Sequence, residues 1–118
     1  MLPLVSTLLK SNSTVNGIVA GRIYRHGNAP EGVARPYITW FVVSGVPELN
    51  VSSTPCTDRD MVQIDCWSES DTQIETLAYA VRAVLDSAGI ANRIVLDSRD
   101  NDTKLYRIAL EADFISSR

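Results

Sequence analysis

Met61-Val-Gln-Ile-Asp-Cys-Trp67, together with the segment Ser70–Gly89 that follows it, decides the fold of this chain. In the first stretch apolar and polar side chains alternate, which is the period-two pattern of a half-buried strand. Its apolar face consists of Val62, Ile64 and Cys66. In the second stretch apolar residues recur at i, i+3, i+4 and i+7, which predicts an amphipathic helix over residues 71–88. The apolar stripe consists of Ile74, Leu77, Ala78, Val81, Val84, Leu85 and Ala88.

The ends of this helix are also marked in the sequence. Ser70 and Gln73 have the spacing of a capping box, and Asp71 suits the positive end of the helix dipole. Gly89 is a favourable residue just beyond the last turn. A helix with defined ends and one apolar stripe needs a sheet face to cover.

The segment after the helix predicts that face. Residues 93–98 and 104–115 read as two strands joined by the turn signal Asp100-Asn-Asp102, which together form a hairpin. One face of the last strand carries Tyr106, Ile108, Leu110, Ala112 and Phe114. The opposite face carries Arg107, Glu111 and Asp113.

The first third of the chain predicts two short helical pieces and then a loop. Helical spacing and a tolerated Pro3 predict a helix over about residues 3–11. Ser13 is predicted to cap a second short turn. Residues 22–35 show no periodicity and are predicted to be a long irregular loop, a kind of segment that often carries function.

Pro36 opens a further strand, residues 37–43, whose two faces are both apolar. We expect this strand to be central or covered on both sides. Gly45 and Pro47 are predicted to end it, and a weaker strand is predicted around Leu49–Ser53.

These elements predict an α+β fold, a two-layer sandwich formed by residues 1–118 as one domain. The sheet is expected to be mainly antiparallel, with about four strands. The long helix packs on one face, accompanied by a short N-terminal helix. The helix stripe should cover the apolar residues of the strand 61–67 and of the last strand, so Leu110→Asp should prevent folding by burying an unpaired charge.

The composition limits the possible functions. With 45% hydrophobic and 21% charged residues, the chain of 118 residues is expected to fold around one core. A net charge of −3 argues against nucleic-acid binding by the whole surface. No apolar run has the length of a membrane span, and the N-terminus lacks the features of a signal peptide, so we expect a protein made in the cytoplasm and used or assembled there.

The sequence offers little for catalysis or metal binding. His26 is the only histidine, and Cys56 and Cys66 have no metal-ligand spacing and are expected to be free thiols. The acidic residues Asp97, Asp100 and Asp102 follow a turn pattern rather than a calcium loop. No catalytic residue, cofactor site or metal site is therefore predicted.

Two groups of polar residues are candidate protein-interface positions. The first group, in the irregular loop, is basic and consists of Arg22, Arg25, His26 and Arg35. The second group lies on the outer sheet face and consists of Asp65, Arg107, Glu111 and Asp113, next to Gln63. Trp40 and Trp67 lie in strands, which favours core or interface packing over base stacking.

The order of several segments resembles the phage tail completion family, the small tail terminator or head–tail joining proteins. The resemblance spans nearly the whole chain and rests on these segments in order: Val15-Asn-Gly-Ile-Val-Ala-Gly-Arg-Ile-Tyr24, Arg35-Pro-Tyr-Ile-Thr-Trp40, Met61–Trp67, Leu77-Ala-Tyr-Ala-Val-Arg-Ala-Val-Leu85, and Lys104-Leu-Tyr-Arg-Ile-Ala-Leu-Glu-Ala-Asp-Phe114. The chain departs from the family pattern in Gly27–Gly32 and Thr54–Asp60, so no contacts are transferred there.

The resemblance implies a structural virion protein, assembled in the host cytoplasm, without cofactor or enzymatic activity. Such proteins form a ring, usually hexameric, at the head-proximal end of the tail, where they stop tube growth and join the tail to the head connector. The implied partners are other copies of the chain, the tail tube protein and the connector, with DNA passing through the ring without specific binding and no membrane contact. An acidic bias of the outer sheet face would suit such a lumen because it repels phosphates.

Three alternatives remain open from the sequence. The first is another virion component, such as a head-closure or tube protein. The second is a small ligand-binding α+β domain or enzyme, which would need a pocket with convergent polar groups. The third is a nucleic-acid-binding module, against which the negative net charge argues.

Overall fold

A computed structural model describes residues 4–26, 29–30, 32–48 and 57–117. The elements in chain order are α1 (Val5–Ser11), α2 (Ser13–Val19), β1 (Ile23–Arg25), β2 (Tyr37–Glu48), β3 (Thr57–Ser68), α3 (Asp71–Ser87), β4 (Asn92–Arg99) and β5 (Tyr106–Ser117). No helix among the described residues is long and apolar enough to cross a membrane.

The strands form one sheet in the order β1-β2-β3-β5-β4. Strand β1 runs parallel to β2, and all other neighbours are antiparallel. The buried side chains of the three helices join one core with the inward residues of β2, β3 and β5, so the helices cover a single face of the sheet. This confirms the predicted two-layer α+β sandwich, with five strands where about four were expected.

Helix α3 begins with a cap that has one more member than predicted. The Ser70 hydroxyl accepts a hydrogen bond from the Gln73 backbone N–H at 3.3 Å, as a capping box requires. The Gln73 side chain does not reach back to the Ser70 backbone. Instead, Ser68 Oγ donates to Gln73 Oε1 at 2.7 Å and accepts from the Ser70 N–H at 3.1 Å. The end of β3 thereby fixes the start of the helix.

The stripe of α3 packs as predicted on β3 and β5. Its buried members are Ile74, Leu77, Ala78, Val81, Val84 and Leu85. Opposite them lie Val62, Ile64, Cys66, Ile108, Leu110 and Phe114, all buried. Ala88 is the exception, because it is the C-terminal cap and is exposed. Gly89 adopts a positive φ of +73°, a left-handed conformation typical of a helix end.

Several predictions in the first half of the chain are wrong. The predicted irregular loop 22–35 contains strand β1, whose three residues pair with Ile38–Trp40. The cap of α2 is Asn12 rather than Ser13, since its side-chain oxygen accepts from the N–H groups of Thr14 and Val15 at 3.0 Å each. Glycine and proline at positions 45 and 47 do not end β2, because both residues pair with β3. The predicted strand around Leu49–Ser53 lies outside the described residues.

Candidate interaction surface

No metal site is found among the residues that the structure describes. Within them, no three histidine, cysteine, aspartate or glutamate residues are placed to hold a metal ion. Cys66 is buried under α3, and this burial raises the pKa of its thiol. Cys56 lies outside the described residues. The remaining features are surfaces.

The sheet face turned away from the helices is called the outer face here, and its residues come from neighbouring strands. The β2 residues Tyr37, Thr39 and Phe41 lie on it, in register with Trp67, Asp65 and Gln63 of β3. The next strand, β5, adds Arg107 and Glu111. None of the three helices packs on this side, because their buried residues all belong to the core on the other face.

At one end of the outer face, four side chains from four neighbouring strands form a transverse row, called the aromatic row here. Tyr24 of β1 meets Tyr37 of β2 edge to face, with ring centroids 6.5 Å apart. Tyr37 stacks on Trp67 of β3 at 6.0 Å and an interplanar angle of 12°. The guanidinium of Arg107 in β5 lies 5.1 Å from the Trp67 ring centroid. The Trp67 Nε1–H donates to Thr39 Oγ1 at 3.1 Å, so the indole is fixed in place.

Next to the aromatic row, the outer face carries ion pairs that link strands. Asp65 is 4% exposed and accepts from Arg107 Nη2 at 3.2 Å and from Gln63 Nε2 at 3.0 Å. Glu111 pairs with Arg93 of β4. Asp113 pairs with Arg59 of β3 at 3.2 Å.

These pairs overturn one prediction from the sequence. The outer face was expected to be acidic, but each of its three carboxylates is matched by a guanidinium. Arg59 and Arg93 were not counted with this face, because their positions on it depend on strand register. This face is therefore not a lumen surface that repels DNA through a net negative charge.

The predicted basic group lies at the β1 edge of the sheet but does not form one cluster. Arg22 Nε donates to the Pro36 carbonyl at 3.0 Å. Arg25 packs over Trp40 at 5.4 Å, and its Nε is buried with no hydrogen-bond partner in the described part of the chain. His26 is exposed and has a left-handed backbone with φ of +57°. Arg35 reaches Glu69 only at 3.8 Å.

Of the two tryptophans, only Trp67 belongs to the outer face. Trp40 is 5% exposed, lies on the helix side and donates from Nε1 to Ser6 Oγ at 2.9 Å. The sequence contains a signal for this arrangement, because Tyr37 and Phe41 alternate with Ile38 and Trp40 in β2. Such alternation places Tyr37 and Phe41 on one side of the strand and Ile38 and Trp40 on the other.

A groove of about 460 Å³ runs between α3 and the edge strand β4 on the helix side. Its charged lining residues are all acidic, namely Asp71, Glu75 and Asp97. Its apolar lining includes Tyr79, Ile94 and Tyr106. We call it the acidic groove. The sequence predicted the elements on both sides of it but not the space between them.

Comparisons with known proteins agree with the fold. A family model described as "Tail completion protein gp17" matches residues 4–116. A chain from a solved structure entitled "Virion of native gene transfer agent (GTA) particle" superposes with a TM-score of 0.69. The two chains are 15% identical, and the match covers 97% of this chain and 92% of the other. A search of curated proteins gives no significant match.

Proposed function

The chain belongs to the tail completion protein gp17 family, and from this premise we propose that it forms a ring at the head-proximal end of a phage tail. Membership makes it a structural protein of the tail or neck of a virion. The proposal adds that the ring, expected to be a hexamer, ends growth of the tail tube and joins the tail to the head connector.

The observation that carries the proposal is the outer face, where an ordered row of aromatic and arginine side chains is left uncovered by the helices. Tyrosine, tryptophan and arginine dominate the energetically important positions of protein interfaces. Tyr24, Tyr37, Trp67 and Arg107 are partly exposed yet held in place by mutual packing. Rigid side chains lose little entropy on binding, which favours a permanent contact.

The ion pairs beside the aromatic row support the same interpretation. A partner that covers Asp65, Glu111 or Asp113 does not leave a bare carboxylate, because each has an arginine partner within the subunit. Such a face can lose its contact with water at lower cost than an unpaired acidic face. We assign Glu111, Asp113 and Arg107 to contact with a neighbouring virion protein, the tube protein or the connector, while the buried Asp65 holds Arg107 in place.

DNA is proposed to pass through the ring without specific binding. The chain carries a net charge of −3, and the outer face carries charges that balance. Neither offers the excess of cations that phosphate binding needs.

The test is the length of the tails made without this protein. In lysates of the parent phage with the gene deleted, electron microscopy should show overlong tails that lack heads. The absence of all tails would identify a tube protein, and tails of normal length that lack only heads would identify a head-closure protein. Either result contradicts the terminating role.

Point variants then connect the role to the outer face. Trp67→Ala supplied to the deletion lysate should leave tails overlong, while Thr76→Ala, an exposed substitution on α3, should restore normal tails. Thermal unfolding of both purified variants separates a lost contact from a lost fold. A folded Trp67→Ala protein that restores tails as well as wild type contradicts the role of the aromatic row.

A further inference from the structure

We infer that the acidic groove of one subunit binds the basic β1 edge of the next copy of this chain, which makes this head-to-tail contact the one that closes the ring. The inference rests on the proposed ring and names the surfaces that would form it. The two surfaces lie at opposite ends of the strand order, β4 and β1.

The first surface is the edge of the sheet formed by strand β4. Strand β4 has β5 as its one neighbour in the described sheet. The run Ile94, Val95 and Leu96 is exposed by 38%, 42% and 39% of each residue's surface. Long apolar edge strands tend to pair with other chains, and proteins usually cover or charge them. Here the charged residues lie at the ends of the strand, and the centre is apolar.

The acidic groove adds charge to this apolar edge. Asp71, Glu75 and Asp97 line it, and Tyr79 is 55% exposed at its wall. One cation lies nearby, since the Arg99 guanidinium stacks 5.5 Å from the Tyr106 ring centroid. The described charges of this surface therefore sum to two negative charges, which favours a cationic partner.

The second surface has the opposite charge. Arg22, just before β1, and Arg35, just before β2, lie at this end of the sheet, with Glu69 as the one described carboxylate beside them. Arg25 packs over Trp40 and does not contribute to this surface. The sequence places Glu31 in the same segment. The Arg35 side chain is 33% exposed and only loosely paired at 3.8 Å, so its guanidinium is free to bind a stronger partner.

The arrangement of the two surfaces selects a second copy as the occupant. A ring needs two different complementary patches on each subunit, placed so that each copy binds the next. Four strand spacings of about 4.8 Å separate β1 from β4, so the patches lie about 19 Å apart at opposite edges. An acidic, apolar groove on one edge and a basic strand on the other edge meet this requirement.

Charge reversal with rescue tests the contact. Glu75→Arg and Arg35→Glu each place like charges across the interface, so each should reduce the fraction of ring-capped tails at least about tenfold when purified protein is added to uncapped tails. The double variant, which restores opposite charges between neighbours, should regain capping. Asp102→Arg is the matched control, because it reverses an exposed charge at the β4–β5 turn and should cap tails like wild type.

Mixing the two single variants tests whether the groove of one copy contacts the edge of another. An equal mixture of the two single variants should cap tails, because alternating copies pair every reversed groove with a reversed edge, or a wild-type groove with a wild-type edge. Capping by folded single variants at the wild-type level overturns this inference and leaves the ring intact. A folded double variant that stays inactive also overturns it. If wild-type protein caps no tails, the proposed function fails together with the inference.

Discussion

Replacing Leu110 with alanine is expected to cost about 3–4 kcal/mol of unfolding free energy, within the range of about 2.7–5.0 kcal/mol for buried leucines. Leu110 is fully buried in β5, where it pairs with Ile64 of β3 and Ile94 of β4 under helix α3. Strands on both sides and a helix above leave the cavity little room to collapse. With a total stability of about 5–15 kcal/mol, the variant should still fold.

Urea unfolding followed by circular dichroism measures this loss. With a slope of about 2 kcal/mol per molar urea, the midpoint should fall by about 1.5–2 M while the slope stays constant. The matched control is Leu96→Ala, at a leucine in the neighbouring strand β4 that is 39% exposed, which should cost less than about 1 kcal/mol. Equal losses in both variants, or a loss below about 1 kcal/mol for Leu110→Ala, would refute the assigned core. Leu110→Asp should show no folded baseline at all.

Three further predictions concern local features. Gly17→Ala should stabilise the protein by about 0.5–1 kcal/mol, because Gly17 lies inside helix α2 with open space around it. Gly89→Ala should destabilise the protein by about 1 kcal/mol, because Gly89 has a φ of +73°. Thermal melts that shift in the same direction for both variants would contradict these backbone assignments. Arg107→Met should lower the free energy of unfolding by about 1–3 kcal/mol, because it leaves the buried Asp65 carboxylate without its cation. Adding Asp65→Asn to this variant should restore part of the lost stability in urea titrations, and purely additive losses would argue against the pair. In a Cys56→Ser variant, a thiol reagent at pH 8 should label Cys66 only in urea, because Cys66 is buried and burial raises the pKa of its thiol. Rapid labelling of the native protein would contradict this burial.

Long periodic segments could be predicted from the sequence because one physical pattern dominates each of them. Helix α3 has a stripe of six buried residues and a defined cap, and β5 alternates over its central residues. In such segments the local preference and the packed structure agree. The prediction that β2 is central or covered on both faces is confirmed by its place between β1 and β3, although Phe41 on its outer side remains partly exposed.

Short or non-local elements could not be predicted. Strand β1 has three residues, and they become a strand only because β2 lies beside them in parallel. The end of β2 continues past Gly45 and Pro47 because β3 supplies partners, Asp60 and Asp58, that the local sequence does not reveal. Tertiary pairing overrides local propensity at such positions.

The sequence predicted which residues lie on the candidate surface, but not the contacts between them. Asp65 and Arg107 were each predicted to lie on the outer face because both residues alternate outward on their strands. Their contact at 3.2 Å, and the pairing of Glu111 with Arg93, depend on the register between strands. Since neither register nor strand order is written in any single segment, the charge balance of this face was predicted incorrectly.

The shortness of β1 has a consequence for the order of assembly. Beyond its three paired residues, this strand is held by hydrogen bonds from the Ile38 N–H to the Arg22 carbonyl at 2.9 Å and from the His26 N–H to the Trp40 carbonyl at 2.8 Å. An edge with so few bonds opens at lower cost than the rest of the sheet. If neighbours recognise this edge, a subunit becomes competent to join only after its N-terminal third has docked, and incompletely folded copies are left out of the growing particle.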